Sequence, residues 1–275
     1  MYKPWRLFLL FVLFSLVISV AGCGGGNQST PNPNPPPPPP PPSGNPMVAY
    51  LTQIKGTGNY QIDLVTDTGV FRVGSPDKFN YVHLSPDGKK IVYSLADAEG
   101  RYFWIGIMNS DGSGKRTLTV TDEFDLYPQF TPDGSKIIYQ SWTASGYIDI
   151  FLMNVDGTNP QNLTNQNGNN YFEPTVSPDG KTIAASFCNV SVCGLATMHI
   201  DGSGLQVIQT CAASTQFLGE SAFSADGTKI LFSYIRGPYY PENSDIYVVN
   251  VDGTNLTQLT NSSYDWCPLV VGDKV

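Results

Sequence analysis

The chain has 275 residues, 41% of them apolar, which is enough to build a sizeable core. Its 27 glycines and 22 prolines are scattered as turn-rich β folds require. A net charge of −8, about −10 once Lys3 and Arg6 are removed with a leader, repels nucleic-acid phosphates and argues against a DNA or RNA partner.

The first element is an address. Met1 to Arg6 carries two positive charges and Leu7 to Val20 is almost wholly apolar. That is the pattern of a secretory signal, too short for a comfortable membrane span. The segment ends Val20-Ala21-Gly22-Cys23, which resembles the bacterial lipobox. The resemblance implies that residues 1–22 are a signal peptide and that the Cys23 thiol receives diacylglycerol. Several acyl chains, palmitate among them, would then supply the multiple contributions that stable anchoring needs. Gly24 in place of an acidic residue points to the outer membrane, at its periplasmic face or the cell surface.

Residues 23–46 are expected to be the lipidated cysteine followed by a tether. Gly24-Gly25-Gly26 leads into Pro31-Asn32-Pro33-Asn34 and eight prolines, Pro35 to Pro42. This composition buries nothing and joins neither helix nor ladder. Residues 31–42 as polyproline II, at about 3.1 Å per residue, would hold the following domain roughly 37 Å from the membrane.

From residue 47 an internal repeat decides the fold. One motif reads Ser85-Pro86-Asp87-Gly88, Thr131-Pro132-Asp133-Gly134, Ser177-Pro178-Asp179-Gly180 and Ser224-Ala225-Asp226-Gly227, with aspartates 46, 46 and 47 residues apart. A second falls between its copies, at Asp111-Gly112, Asp156-Gly157, Asp201-Gly202 and Asp252-Gly253. Asp-Gly between apolar runs marks a tight hairpin. Each unit therefore has four strands. In one unit these are expected at Tyr81–Leu84, Lys90–Leu95, Tyr102–Met108 and Arg116–Val120. The second strands read Ile91-Val92-Tyr93, Ile137-Ile138-Tyr139, Ile183-Ala184-Ala185 and Ile230-Leu231-Phe232. Continuous apolar runs of this kind are covered on both faces, and four-stranded sheets stacked face to face form a propeller.

These units resemble the WD-type repeats of the TolB-like propeller family. Asp125-Leu126-Tyr127-Pro128 opens one copy, and Asp245 to Gly253 with Leu259-Thr260 closes another. The resemblance covers residues 47–275; an additional N-terminal domain of the family's namesake has no counterpart. Counting strands predicts an all-β fold with five blades, one fewer than that namesake. Residues 47–76 supply only the second, third and fourth strands of a blade, at Val48–Leu51, Gln61–Val65 and Val70–Val73. Asp265 to Val271 supplies a lone first strand, so the two termini would close the ring. A six-bladed or open arrangement is the alternative.

The Asp-Gly turns share one rim, where their carboxylates are expected to bond their own turns. The other rim is the candidate binding face. It carries Arg236, Tyr239 and Tyr240 in the longest loop, together with Trp266. Asp125, Glu173, Glu220 and Asp265 approach the channel mouth on the same side and could hold a cation or a cationic ligand. His83 reads as a channel-lining residue and His199 as a turn residue. Cys188 and Cys193 flank a four-residue turn and are expected to pair. Cys211 and Cys267, both expected in loops, form a second candidate pair. No nucleophile elbow, metal-binding histidine pair or phosphate loop occurs, so no catalytic residue, metal or cofactor is assigned. The expected function is a membrane-anchored, non-enzymatic module that binds an envelope protein or a cell-wall polysaccharide. The alternative is a carbohydrate-active enzyme using funnel carboxylates.

Overall fold

The computed structural model describes residues 46–120, 124–165, 168–212, 216–236, 244–262, Asp265 and Pro268. The signal peptide, Cys23, the tether up to residue 45, Tyr239, Tyr240, Trp266 and Cys267 lie outside these residues. So does all but Asp265 and Pro268 of the expected C-terminal strand.

The described residues form five antiparallel sheets in chain order and contain no helix. The first sheet holds β1 (Val48–Ile54), β2 (Asn59–Thr66) and β3 (Gly69–Asp77). The second runs β4 (Phe79–Leu84), β5 (Lys90–Ala96), β6 (Phe103–Asn109) and β7 (Arg116–Thr117). β8 (Asp125–Phe130), β9 (Lys136–Trp142), β10 (Ile148–Asn154) and β11 (Gln161–Asn162) make the third. The fourth contains β12 (Asn170–Val176), β13 (Thr182–Cys188), β14 (Val192–His199) and β15 (Gln206–Ala212). In the fifth are β16 (Gln216–Phe223), β17 (Lys229–Arg236), β18 (Ser244–Asn250) and β19 (Thr257–Gln258). As the strand count predicts, the first sheet has three strands where the others have four.

The core lies between the sheets. Ile91 and Tyr93 on one face of β5 pack with Ile62 and Leu64 of the first sheet. Val92 on the other face packs with Ile137 and Tyr139 of the third. Ile138 in turn meets Ile183 and Ala185, and Ala184 meets Ile230 and Phe232. Alternate residues of each second strand thus face opposite neighbours, which is why these strands are apolar throughout rather than every second residue. Stacking is tight: a Cβ on Gly106 would lie 2.4 Å from the Tyr93 ring, so the position excludes any larger residue.

The fourth strand of the second sheet is shorter than expected, and those of the third and fifth sheets are equally short. Arg116–Thr117 is a strand, but residues 118–120 are not. A side chain takes over the ladder there. Leu118 N–H donates to Ile105 C=O at 2.7 Å, and the Thr119 hydroxyl accepts the Ile105 N–H at 2.9 Å. The same latch recurs at Leu163-Thr164 on Ile150 and at Leu259-Thr260 on Ile246. It explains the Leu-Thr pair of the repeat.

Candidate functional site

Both kinds of Asp-Gly turn are self-contained. Asp87 accepts from the Ser85 hydroxyl at 2.7 Å and the Lys89 N–H at 3.0 Å, while Gly88 takes a φ of 70° that favours glycine. Asp111 likewise accepts the hydroxyl and N–H of Ser113. Across the repeats these hydroxyl and backbone donors hold Asp87, Asp111, Asp133, Asp156, Asp179, Asp201, Asp226 and Asp252 below the usual carboxylate range, Asp226 at about 2. Two open clefts on this rim, of about 550 and 440 Å³, are lined mainly by such turn residues.

The first strands of the sheets pack on one another, β4 on β8, β8 on β12 and β12 on β16, so they form the innermost layer. All four are bulged; in β4 Asn80 is the extra residue between Phe79 and Tyr81. In the other three, two residues face one between Leu126 and Gln129, between Phe172 and Thr175, and between Leu218 and Ser221. A bulge re-aims the side chains it carries. Tyr127 and Glu173, each just before a proline, take φ values of 53° and 51°. For residues of this size that is strain, held by the surrounding sheet.

The bulges bring Glu173 and Glu220 together. Glu173 N–H donates to Gln140 Oε1 of the third sheet at 2.8 Å. Its carboxyl is bonded to the Tyr127 hydroxyl, yet its Oε2 is buried without a hydrogen-bond partner. Burial, reinforced by the neighbouring Glu220 charge, pushes Glu173 up to about 8 against the pull of Tyr127. Glu220 is half-buried. Tyr81 of β4 adds a ring 5.1 Å from that of Tyr127, and its hydroxyl receives Gln129 Nε2 at 3.5 Å.

The other expected site residues are placed differently. Asp125 is buried at the start of β8, opposite Ser141. Asp265 N–H donates to Ser244 C=O, and its carboxylate takes the Ser262 hydroxyl at 2.5 Å. Arg236, at the end of β17, is ion-paired with the buried Asp245, which also accepts from Gln258. His83 is neutral at physiological pH, since burial lowers it to about 4, and its Nδ1 accepts the Phe130 N–H at 3.4 Å. The sequence offers it no partner; the structure supplies one from the next sheet. His199 lies over Gly204, as a turn residue would.

Cys188 and Cys193 are disulfide-bonded across the β13–β14 hairpin. Cys211 departs from expectation: it lies in β15 directly opposite Cys193, not in a loop. It is a free, buried thiol, and burial raises it to about 11. Sequence reasoning also misses Tyr127 and Gln140. Neither residue type marks a site, and only the bulges bring them to Glu173.

Antiparallel sheets that follow one another along the chain and pack face to face, most of them four-stranded, define a β-propeller. The chain matches the TolB beta propeller domain family over residues 46–266 and belongs to that family. It is 28% identical over 206 residues to "Uncharacterized protein Atu1656" of Agrobacterium fabrum, an alignment covering 73% of this chain and 66% of that one. It is also 28% identical over 114 residues to "Tol-Pal system protein TolB" of Roseobacter denitrificans, covering 32% and 26%. The chain therefore spans just under two thirds of the first relative and about a quarter of the second. Among solved structures, TolB from Acinetobacter baumannii superposes with a TM-score of 0.60 at 19% identity, covering 77% of this chain and 52% of that one. This likeness is one of fold.

Proposed function

We propose that the protein is a cell-envelope lipoprotein, anchored through Cys23, whose propeller is a non-enzymatic binding module for an envelope protein or cell-wall polymer. The observation that carries this reading is the division of the carboxylates. Those of the repeat turns are engaged in holding hairpins, while Glu173 sits on an innermost strand beside Glu220 with one buried carboxyl oxygen unpartnered. Family membership and the likeness to a Tol-Pal system protein support it. Among the described residues the acidic set that a carbohydrate-active enzyme would need is divided. Asp265 bonds its own loop, and Asp125 is buried at the start of β8.

Ring closure is part of the same proposal. Residues 266–275 would add the missing first strand beside β1 and complete five blades. Support comes from the three-stranded first sheet and from Val48 and Tyr50, which stay exposed on β1. Cross-linking intact envelopes tests the binding reading. A partner bound to the wild type should be lost on changing the inner layer and retained on changing a turn aspartate. Replacing Cys23 by Ser should release the protein from membranes or leave it unprocessed; a processed variant still held by the membrane would overturn the anchor.

A further inference from the structure

We infer that the Glu173–Glu220 pair, with the Tyr81 and Tyr127 rings beside it, is a subsite for one organic cation: the guanidinium or ammonium group of a basic side chain on a protein partner. The inference rests on the binding-module reading and deepens it.

The geometry supplies what such a group needs. Glu173 Oε2 is a buried acceptor with no partner, in a residue only 9% exposed. Glu220 on the adjacent strand brings a second carboxyl that is half-buried and so within reach of a ligand. The half-buried Tyr81 ring extends the surface with a π face that attracts a desolvated cation, backed by the buried Tyr127 ring 5.1 Å from it. Guanidinium forks match carboxylates in particular. A metal ion is a poorer occupant, because among the described residues no group of three or more acidic, histidine or cysteine side chains is arranged to hold one.

Among the described residues, the strands packed on β12 place no cation beside Glu173. The strands packed on β12 are β8, β9, β10, β13 and β16. Their titratable groups are Asp125 and Tyr127, Lys136 and Tyr139, Asp149, and Glu220, with Cys188 locked in its disulfide. The Asp149 carboxylate is already bonded to Thr164 and Asn162. Lys136 lies four residues along β9 from Gln140, about 13 Å away at the strand spacing, toward the opposite rim. In the free protein a proton on Glu173 takes the role that a ligand cation would fill. Binding at neutral pH therefore displaces that proton, and affinity rises with pH until Glu173 is ionised.

Isothermal titration of the full mature chain tests this, with methylguanidinium chloride and methylammonium chloride as probes and calcium chloride as the competitor. The expected result is binding of an organic cation with close to one proton released per cation at pH 7. Its affinity should tighten about tenfold between pH 7 and pH 9, because the ionised fraction of Glu173 rises about tenfold across that range. Glu173→Gln mimics the protonated acid and keeps the fold; Glu220→Gln removes the second charge from a half-buried site. Each should weaken binding at least tenfold, with unchanged circular dichroism. Absence of binding by both organic cations, binding without pH dependence, or preference for calcium would each overturn the inference. The two readings fail separately. An envelope partner captured equally by wild type and Glu173→Gln keeps the binding module and removes the subsite. A chain that binds methylguanidinium but captures no partner does the reverse.

Discussion

The turn rim and the innermost layer carry the same functional group under opposite conditions. At the rim each aspartate is ringed by the hydroxyls and N–H groups of its own turn, and its charge is stabilised within a few residues of chain. In the inner layer Glu173 is buried beside a second carboxyl, and what it touches comes from other sheets: Gln140 and Tyr127 from the third, Glu220 from the fifth. Local donors push a carboxyl down and burial beside a like charge pushes it up. The rim is the repeat's own scaffold, whereas the inner layer exists only when the sheets are assembled.

The largest expected effect separates the two by assembly. Deleting Trp266–Val275 should remove the closing strand, so the melting temperature should fall by about 10 °C or more, or the chain should aggregate. Removing 24–46 should change nothing. Because the turns are self-contained, the inner layer should loosen first on truncation, read by faster amide exchange at Glu173 than at Gly88. A truncated chain melting within a degree or two of the full one would rule out five-blade closure.

Next in size is a difference on the alkaline side. A carboxyl whose folded value is raised contributes stability below its unfolded value and loses it as pH rises through the folded one, here between about 4.5 and 8. Glu173→Gln should therefore melt about 5 °C above wild type at pH 9 and close to it at pH 5, as read by calorimetry. The turn aspartates have the opposite sign. Their contribution is present above their ordinary value of 3.8 and is lost as pH falls through the lowered values, down to about 2 for Asp226. His83, neutral in the fold and lowered to about 4, adds to acid loss from pH 6.5 downward. Asp133→Ala removes an acceptor of three hydrogen bonds and should cost about 3 °C at pH 7. Its deficit should shrink as pH falls below the ordinary 3.8 and the wild-type carboxyl is itself protonated.

The smallest effect is chemical. Cys211 should resist alkylation in the native protein, being buried and far from ionised at neutral pH, and react fully once denatured. Cys188 and Cys193 should stay unlabelled in both states without reductant. Native labelling of Cys211 would contradict its place in β15.

Much of this was legible in residues alone. The Asp-Gly turns, the unbroken Ile-Val-Tyr runs and the Cys188–Cys193 hairpin are local patterns with local causes. The three-stranded first sheet followed from simple counting. What escaped depends on neighbours. A residue before proline reads as extended, so nothing in Tyr127-Pro128 or Glu173-Pro174 announces a positive φ. Thr210-Cys211-Ala212 reads as loop beside Ala213-Ser214 but pairs with β14 as strand. Residues 118–120 read as strand until the Thr119 hydroxyl is seen to replace a ladder bond. Acidic residues near the channel were visible as a set, yet only the fold separates Glu173 and Glu220 from Asp265, whose carboxylate bonds its own loop.

The most direct test of the division between scaffold and site is a carbon-13 carboxyl titration of the full mature chain, free of ligand. Glu173 is expected to titrate near 8, with a midpoint that falls in Glu220→Gln, while Asp226 stays ionised down to about 2. A Glu173 midpoint in the ordinary range near 4.5, unmoved by Glu220→Gln, would contradict that division.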